Sequence, residues 1–181
     1  MNRDQGLELV KSKVKNDRLV KHMLAVEAVM RALAEKLGED VEKWGFVGLV
    51  HDLDYDETVK DPERHGKVGA GYLRDLGIED DVTYAVESHV GHVARLSPMD
   101  KALYATDPLT GLIVAAALMH PSKSLGEVTV DFILKRFKEK RFAAGADRDQ
   151  IRSCEEFGVS LEDFAGVGLK AMQDISGELG L

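Results

Sequence analysis

The chain has 181 residues, of which 44% are hydrophobic and 31% charged, and its formal net charge is −8. This length and apolar content suit one domain with a substantial core, so we expect a single domain over residues 1–181. This acidic chain lacks the basic character of a general nucleic-acid-binding protein, so duplex DNA or RNA is not expected as a partner.

Cysteine usage and the opening sequence bear on the compartment. The one cysteine, Cys154, cannot form an internal disulfide, and MNRDQGLELVKSKVKND lacks the apolar core of a signal peptide. The longest apolar run, LIVAAALM at residues 112–119, is shorter than a membrane span. We therefore expect a cytoplasmic protein with no membrane partner.

Helical periodicity dominates the chain. After a first helix at about residues 4–14, the segment 17–37 has apolar residues every three or four positions and ends at Gly38. GEVTVDFIL at 126–134 has the β-branched content of a short extended piece, but no alternating strand pattern of useful length competes. Further helices are predicted at about 40–53, 66–76, 79–90, 98–119, 127–140, 147–157 and 160–175. The predicted fold is all-α, with a helical extension over about residues 120–181.

Imidazole and carboxylate groups occupy inward-facing positions on three of these helices. His22 is in register with the apolar stripe of its helix, so its side chain projects into or beside the core. His51 and Asp52 follow the apolar stretch WGFVGLV, and Asp52 falls on the face of Gly48, where another helix can come close. Asp107 lies in the apolar segment LYATDPLTGLIVAAALM. Because a buried unpaired carboxylate is strongly destabilising, these acids need a hydrogen-bonded partner or a metal.

Each of these residues also has an ordinary structural interpretation. His22 alone can be a hydrogen-bonded core histidine, and Asp107 before Pro108 can be a helix N-cap. His51 and Asp52 can simply cap and end their helix. Their co-occurrence favours a metal site, because neutral imidazoles and carboxylates together are the ligand set of borderline transition metals.

The order of these residues resembles the H...HD...D pattern of the HD superfamily. His22, then the doublet His51-Asp52 in GLVHDLD, then Asp107 agree with that pattern in order and spacing. Members of this superfamily are helical metal-dependent enzymes that mostly cleave phosphate esters and anhydrides of nucleotides. The resemblance therefore implies an HD-type helical bundle, with the metal-site core over about residues 17–119, and a hydrolase.

Two further histidines resemble the branch of the superfamily that binds two metal ions. His65 opens HGKVGA, similar to the HxxxGA of that branch, and His89 in AVESHVGH resembles its next histidine. The resemblance implies that His65 and His89 hold a second ion and that Asp52 bridges the two. The implied ligands of the first ion are His22, His51, Asp52 and Asp107.

The implied cofactor is a pair of divalent transition metal ions, drawn from Fe, Mn, Zn, Co and Ni. Two close cations lower the pKa of a shared water, giving hydroxide at neutral pH, and neutralise the oxygens of a phosphoryl group under in-line attack. The expected partner is a small phosphorylated substrate, with a nucleotide as the expected class. Two alternatives stay open: a di-iron oxygenase with the same ligand set, and a non-catalytic nucleotide-binding or signalling module.

The residues after the HD doublet depart from many two-metal relatives, which continue with Ile-Gly-Lys. Here Asp54 and Tyr55 stand at the last two of those places, which removes an expected phosphate contact. We predict that Asp54 orients a ligand histidine or a water and that Tyr55 stacks on a substrate ring. His92, three residues after His89, is predicted to share its helix face as a second-layer or substrate contact. The predicted catalytic residues are thus Asp52, Asp54 and His92.

Positive charge for a substrate phosphate is concentrated in the C-terminal third. The segment LKRFKEKRF has the alternative interpretation of a solvated helical face, as charge runs usually do. An acidic protein that binds phosphate nevertheless needs cationic partners. The predicted cationic contacts are Lys123, Arg136, Lys140 and Arg141.

Overall fold

The computed structural model describes residues 1–181 and contains only helical elements, which confirms the all-α prediction. Short 3-10 segments at Pro62–Arg64, Leu125–Glu127 and Ser153–Phe157 join some of the α-helices. The α-helices are α1 (Arg3–Lys13), α2 (Asp17–Leu37), α3 (Val41–Val50), α4 (Tyr55–Thr58), α5 (Lys67–Asp75), α6 (Asp80–Ser88), α7 (Pro98–Met119), α8 (Val130–Lys138), α9 (Arg148–Arg152), α10 (Leu161–Asp174) and α11 (Ser176–Leu179).

Local capping explains why two predicted boundaries agree with the structure. The side chain of Asn16 accepts a hydrogen bond from the backbone at the start of α2, and Gly38 ends that helix with a φ of 74°. Ser97 caps α7 in a capping box, with proline at the first helical position. These signals are local in sequence, so pattern analysis could locate both ends.

The β-branched content of 126–134 does not produce an extended piece, and the helix predicted at about 127–140 is present as α8 (Val130–Lys138). The Leu125–Glu127 turn is followed directly by α8, because the Thr129 hydroxyl accepts a hydrogen bond from the Phe132 N–H and so starts the helix. The short helices α4 and α11 were not predicted.

Helix α7 continues through Pro108 without a break. Because proline has no N–H, the carbonyl of Tyr104 loses its usual partner four residues later. The side-chain amide of Gln150 donates to that oxygen at 2.7 Å instead. Ser97 is the N-cap of this helix and Asp107 lies in its interior, so the alternative in which Asp107 is an N-cap is wrong.

The pair α2 and α3 positions the first part of the site. A Cβ atom at Gly48 would lie 2.9 Å from the backbone of Glu27, so only glycine permits this helix contact. This is the close approach expected for the Gly48 face. One cluster of 33 buried apolar residues then joins α2 and α3 to α7, α8 and α10, so the C-terminal helices share a core with the helices of the site.

Helix α7 is the one helix that is long and apolar enough to cross a membrane by length and composition. Neighbouring helices bury 56% of its most apolar stretch, as is usual for the central helix of a bundle.

Candidate metal centre

The predicted ligands converge on the side chain of Asp52. Its Oδ2 atom lies 3.7 Å from Nε2 of His22 and 3.6 Å from Nε2 of His51. Its Oδ1 atom lies 3.2 Å from Nε2 of His65 and 3.4 Å from Nε2 of His89. The two oxygens of one carboxylate thus face two different pairs of imidazoles.

Asp107 completes the first of these groups. Its Oδ1 atom lies 3.1 Å from Nε2 of His22. The possible ligand atoms of His22, His51 and Asp107 all lie within 4.8 Å of one another, and those of His51, Asp52 and His89 form a second such group. The six residues His22, His51, Asp52, His65, His89 and Asp107 are called the ligand cluster below.

Two ligand histidines are oriented by their own helices. His51 follows α3 and its Nδ1 contacts the carbonyl of Gly48 at 2.8 Å, while His89 follows α6 and its Nδ1 contacts the carbonyl of Val86 at 2.6 Å. A carbonyl oxygen only accepts, so each Nδ1 carries the proton and donates. The Nε2 lone pairs are therefore free and point at Asp52.

Those two Nε2 atoms provide the test of whether a metal fits. Both are buried and have no hydrogen-bond partner, and the side chains of His51 and His89 are 0% and 1% exposed. A buried acceptor without a donor is destabilising. A divalent transition metal accepts two imidazole nitrogens and the intervening carboxylate, so the residues present fit such an ion.

His22 is oriented from a different helix. The Thr110 hydroxyl donates to the backbone carbonyl of Asp107 at 2.9 Å and lies 3.1 Å from Nδ1 of His22. Because that hydroxyl proton is already used, Nδ1–H of His22 donates to the oxygen and Nε2 again faces the ligand cluster. Thr110 was not predicted as part of the site, although its position three residues after Asp107 places it on nearly the same helix face.

Asp54 is buried behind His65. Its Oδ1 accepts a hydrogen bond from Nδ1–H of His65 at 2.8 Å, and its Oδ2 accepts one from the N–H of Gly69 at 2.8 Å. Asp54 is 1% exposed and both of its oxygens are engaged within the protein. Of the two predicted roles, orientation of a ligand histidine is the one that this geometry supports, and Asp54 acts through His65.

The histidines of the ligand cluster differ in charge at neutral pH. Burial lowers the pKa of His51 to about 4, so this imidazole is neutral. Burial opposes charge on His65 as well, but its hydrogen bonds to Asp52 and Asp54 raise its pKa to about 10. Imidazoles bind metals in the neutral form, so ion binding at this cluster releases protons.

The neighbouring histidines lower the pKa values of the two carboxylates, Asp52 and Asp107. Burial raises the pKa of Asp52, but the neighbouring imidazoles, His51 and His65 among them, outweigh it and hold that pKa well below the ordinary value. Burial likewise acts against ionised Asp107, and the hydrogen bond with His22 lowers its pKa overall. Both acids are therefore ionised at neutral pH and available as ligands.

The ligand cluster opens to solvent on one side. The side chains of Asp107 and His22 are 32% and 23% exposed, in contrast to the two buried histidines. A cavity of about 360 Å³ begins there, with Pro108 and Gly111 on one side and the segment 143–146 on the other. A small substrate could therefore approach the cluster past Asp107.

Two other predicted residues lie at the edge of the site. The ring of Tyr55 is 5.4 Å from the ring of His65 in an edge contact, and the residue is 40% exposed. The Nε2 of exposed His92 lies 3.0 Å from the carbonyl of Pro62, in the loop that leads to His65. His92 thus links the segment after α6 to that loop, and it has no direct contact with the ligand cluster.

The predicted cationic residues lie outside the cavity that contains His22 and Asp107. Arg136 pairs with Glu139 and stacks on two phenylalanine rings. Lys123 lies beyond the end of α7, and that end is itself about 18 Å along the helix from Asp107. Lys140 and Arg141 precede the segment that lines the cavity, and their phosphate contact stays a prediction.

Arg148 was also missed, because its role depends on distant backbone atoms. Its guanidinium donates to Phe137 O at 3.0 Å and to Ala143 O at 3.1 Å. Three more of its bonds reach carbonyls in the same segment, at Glu139, Phe142 and Ala146. One side chain thus fixes the wall of the cavity that faces Asp107.

The helical bundle and its histidine–aspartate cluster define a protein with a metal-binding site between packed helices. A model of the HD domain family matches residues 19–117, which is more than half of the chain. The chain belongs to the HD domain family. Proteins of this family bind divalent metals, and the ligand cluster lies within the matched region and could hold them.

Several known proteins are similar to part of this chain. A tRNA (cytidine(56)-2'-O)-methyltransferase of Thermoplasma volcanium is 34% identical over 89 residues, 49% of this chain and 26% of that protein. Ribonuclease Y 2 of Levilactobacillus brevis is 28% identical over 90 residues, 50% of this chain and 17% of that protein. The chain thus spans about a quarter or less of these two enzymes. An uncharacterized protein of Methanocaldococcus jannaschii is 26% identical over 149 residues, 77% of this chain and 86% of that protein.

Proposed function

We propose that this protein is a metal-dependent phosphohydrolase that adds water across a P–O bond of a small phosphate ester or anhydride. One observation carries the proposal: the buried, unpartnered Nε2 atoms of His51 and His89 both face Asp52. Such an arrangement is costly without a cation and well suited to one. Membership of the HD domain family supports the same activity.

The two oxygens of Asp52 face different pairs of histidines, and this arrangement supports two ions. The first would be held by His22, His51, Asp107 and one Asp52 oxygen, and the second by His65, His89 and the other. When bound, two such ions lower the pKa of a water and neutralise phosphoryl oxygens. The ion identity, among Fe, Mn, Zn, Co and Ni, is left to analysis of the purified protein.

The protein's own groups supply positioning and access. Asp54 holds His65, Thr110 holds His22, and helix carbonyls hold the two buried histidines, so the ligands are fixed before any substrate arrives. The exposed side of Asp107 leaves room for a phosphoryl group. A nucleotide as the substrate stays a prediction, with Tyr55 as the candidate stacking residue.

The test combines metal analysis with a phosphate-release screen. Purified protein is assayed with phenyl phosphate and with nucleoside mono- and triphosphates, with and without added Mn, Fe, Co, Ni or Zn. We expect bound transition metal, and a loss of phosphate release on the order of 100-fold in His51→Ala. His120→Ala is the matched control, because His120 contacts Ser122 away from the ligand cluster and its loss should leave the rate unchanged.

Three results would contradict the proposal. One is a His51→Ala protein with full metal content and full activity. The other is oxygen consumption without phosphate release, which would identify the di-iron oxygenase alternative. A protein that binds nucleotides but neither metal nor oxygen would instead be the signalling module.

A further inference from the structure

A second cavity lies beside His22, and the segment 143–146 does not line it. It has a volume of about 370 Å³ and lies between α2, α7 and α11. Its walls are mainly aliphatic, contributed by Ala25, Val114, Leu118 and Leu179. Its polar groups are Arg18, Lys21, His22 and Thr110.

This cavity is continuous with the opening of the ligand cluster. His22 and Gly111 line both the 370 Å³ cavity and the 360 Å³ cavity that contains Asp107. A Cβ atom built on Gly111 would have no other atom within 4 Å, so the space above this glycine is open. The two cavities together are called the α7 groove.

The floor of the groove is one stripe of α7. Gly111, Val114 and Leu118 follow Asp107 at steps of three or four residues, which keeps them on one helix face. The stripe extends roughly 16 Å along the helix from Asp107 to Leu118. Leu118 is 54% exposed, and an exposed leucine alone is ordinary. Here it lines a groove whose other end reaches two candidate metal ligands.

Lys21, His22 and Thr110 are engaged within the protein, whereas the exposed Arg18 makes no side-chain hydrogen bond. Lys21 donates from Nζ to the carbonyl of Leu179 at 2.9 Å, and the Thr110 hydroxyl is bonded to the carbonyl of Asp107 and to His22. No phenylalanine, tyrosine or tryptophan ring lines this cavity. A nucleobase is recognised by stacking and by edge hydrogen bonds, and this surface offers no phenylalanine, tyrosine or tryptophan for stacking and only Arg18 as a side chain without a partner.

We propose that the α7 groove binds the organic part of the substrate and that this part is aliphatic. The substrate would then be a phosphate ester of an apolar alcohol, with its phosphate at the ligand cluster and its chain over Gly111 towards Leu118. This inference rests on the proposed phosphohydrolase function and names the substrate class for the same site. Burial of each methylene in such a groove should strengthen binding about two- to fourfold.

The test uses n-alkyl phosphonates, whose P–C bond a phosphohydrolase does not cleave. Calorimetry with butyl, hexyl and octyl phosphonate, on the protein with added Mn²⁺, gives the change in Kd per methylene. For the wild type we expect Kd to fall at least about tenfold from butyl to octyl. Leucine at position 111 would fill the open space between the two cavities, so in Gly111→Leu this ratio should approach one.

The matched control is Gly71→Leu. Gly71 is also a helical glycine with no atom within 4 Å of an added Cβ, and it lies on α5, outside the groove. Leucine is a better helix former than glycine, so both variants should fold, which thermal melting checks. Gly71→Leu should keep the wild-type dependence on chain length.

The outcomes separate the groove from the hydrolase. Equal Kd values for all chain lengths, or an unchanged ratio in Gly111→Leu, would overturn the groove even if phenyl phosphate is hydrolysed. Chain-length-dependent binding without release of phosphate from octyl phosphate would retain the groove and refute the hydrolase. Tighter binding of adenosine monophosphate than of octyl phosphonate, weakened in Gly111→Leu, would replace the aliphatic occupant by a nucleoside.

Discussion

Replacing Asp54 by alanine should damage both stability and the second half of the ligand cluster. Asp54 accepts from Nδ1–H of His65 and from the N–H of Gly69, each at 2.8 Å, in a position that is 1% exposed. In Asp54→Ala the N–H of Gly69 loses its acceptor, and Nδ1–H of His65 keeps only the longer 3.4 Å contact with the Thr58 hydroxyl. A buried donor without a partner costs about 1–3 kcal/mol, so the two together should cost about 3 kcal/mol.

The effect on metal binding follows from the orientation of His65. Without Asp54 its ring can rotate, and loss of such a supporting hydrogen bond typically weakens metal affinity about 10–100-fold. Urea unfolding of chelator-treated protein gives the stability change, and calorimetric titration with Mn²⁺ gives the affinity. We expect only one of the two binding steps to change, because His65 faces only one of the two Asp52 oxygens.

Asp54→Asn is the matched control. Asparagine keeps one carbonyl oxygen as an acceptor at nearly the same volume, so it should lose less stability and less affinity than alanine. Wild-type Mn²⁺ titration curves for Asp54→Ala would refute the reasoning, since they would mean that His65 is either positioned by other groups or not a ligand.

Three substitutions and one labelling experiment test other parts of the structure. Gly48→Ala should lower stability by about 2 kcal/mol in urea unfolding, because the new Cβ would lie 2.9 Å from the α2 backbone. Gln150→Leu leaves the Tyr104 carbonyl without its donor and should cost about 1–2 kcal/mol, measured in the same way. Arg148→Lys replaces a planar fork by a single ammonium group, so the segment 137–146 should loosen and KM for phenyl phosphate should rise more than kcat changes. Cys154 is buried and burial raises its pKa to about 11, so Ellman's reagent at pH 8 should label native protein on the order of 100-fold more slowly than unfolded protein.

Each of these predictions has a clear opposite. Unchanged urea midpoints would mean that α2 and α3 can separate to admit the new Cβ atom in Gly48→Ala, and that the Tyr104 carbonyl finds another donor in Gln150→Leu. An Arg148→Lys enzyme with lower kcat and unchanged KM would place the arginine in the chemical step. Rapid labelling of native Cys154 would show that its surroundings open readily.

The parts of the site that sequence analysis predicted depend on local patterns. His51 and Asp52 follow an apolar helix directly, and the register of His22 with its stripe showed that it faces inward. The ends of α2 and α7 carry Asn, Ser, Pro and Gly signals within one turn. Such information is contained in neighbouring residues and needs no tertiary structure.

The missed features depend on contacts between distant segments. Gln150 donates a hydrogen bond to the carbonyl of Tyr104, which is 46 residues away in the sequence. Arg148 donates to carbonyls whose position depends on the fold of another segment. The role of Asp54 was left open between a water and a histidine because only the packing of α5 brings Gly69 and His65 to its two oxygens. Arg136 pairs with Glu139, which lies one helical turn away, and its phosphate contact stays a prediction.

Metal analysis of the wild type and of Asp52→Ala tests the central claim most directly. Asp52 faces four imidazoles through its two oxygens, so its loss should disturb both ion positions. Inductively coupled plasma mass spectrometry of protein purified without chelator should find about two transition metal ions per wild-type chain and well under one in Asp52→Ala. Equal metal content in the two proteins, or none in the wild type, would contradict the account.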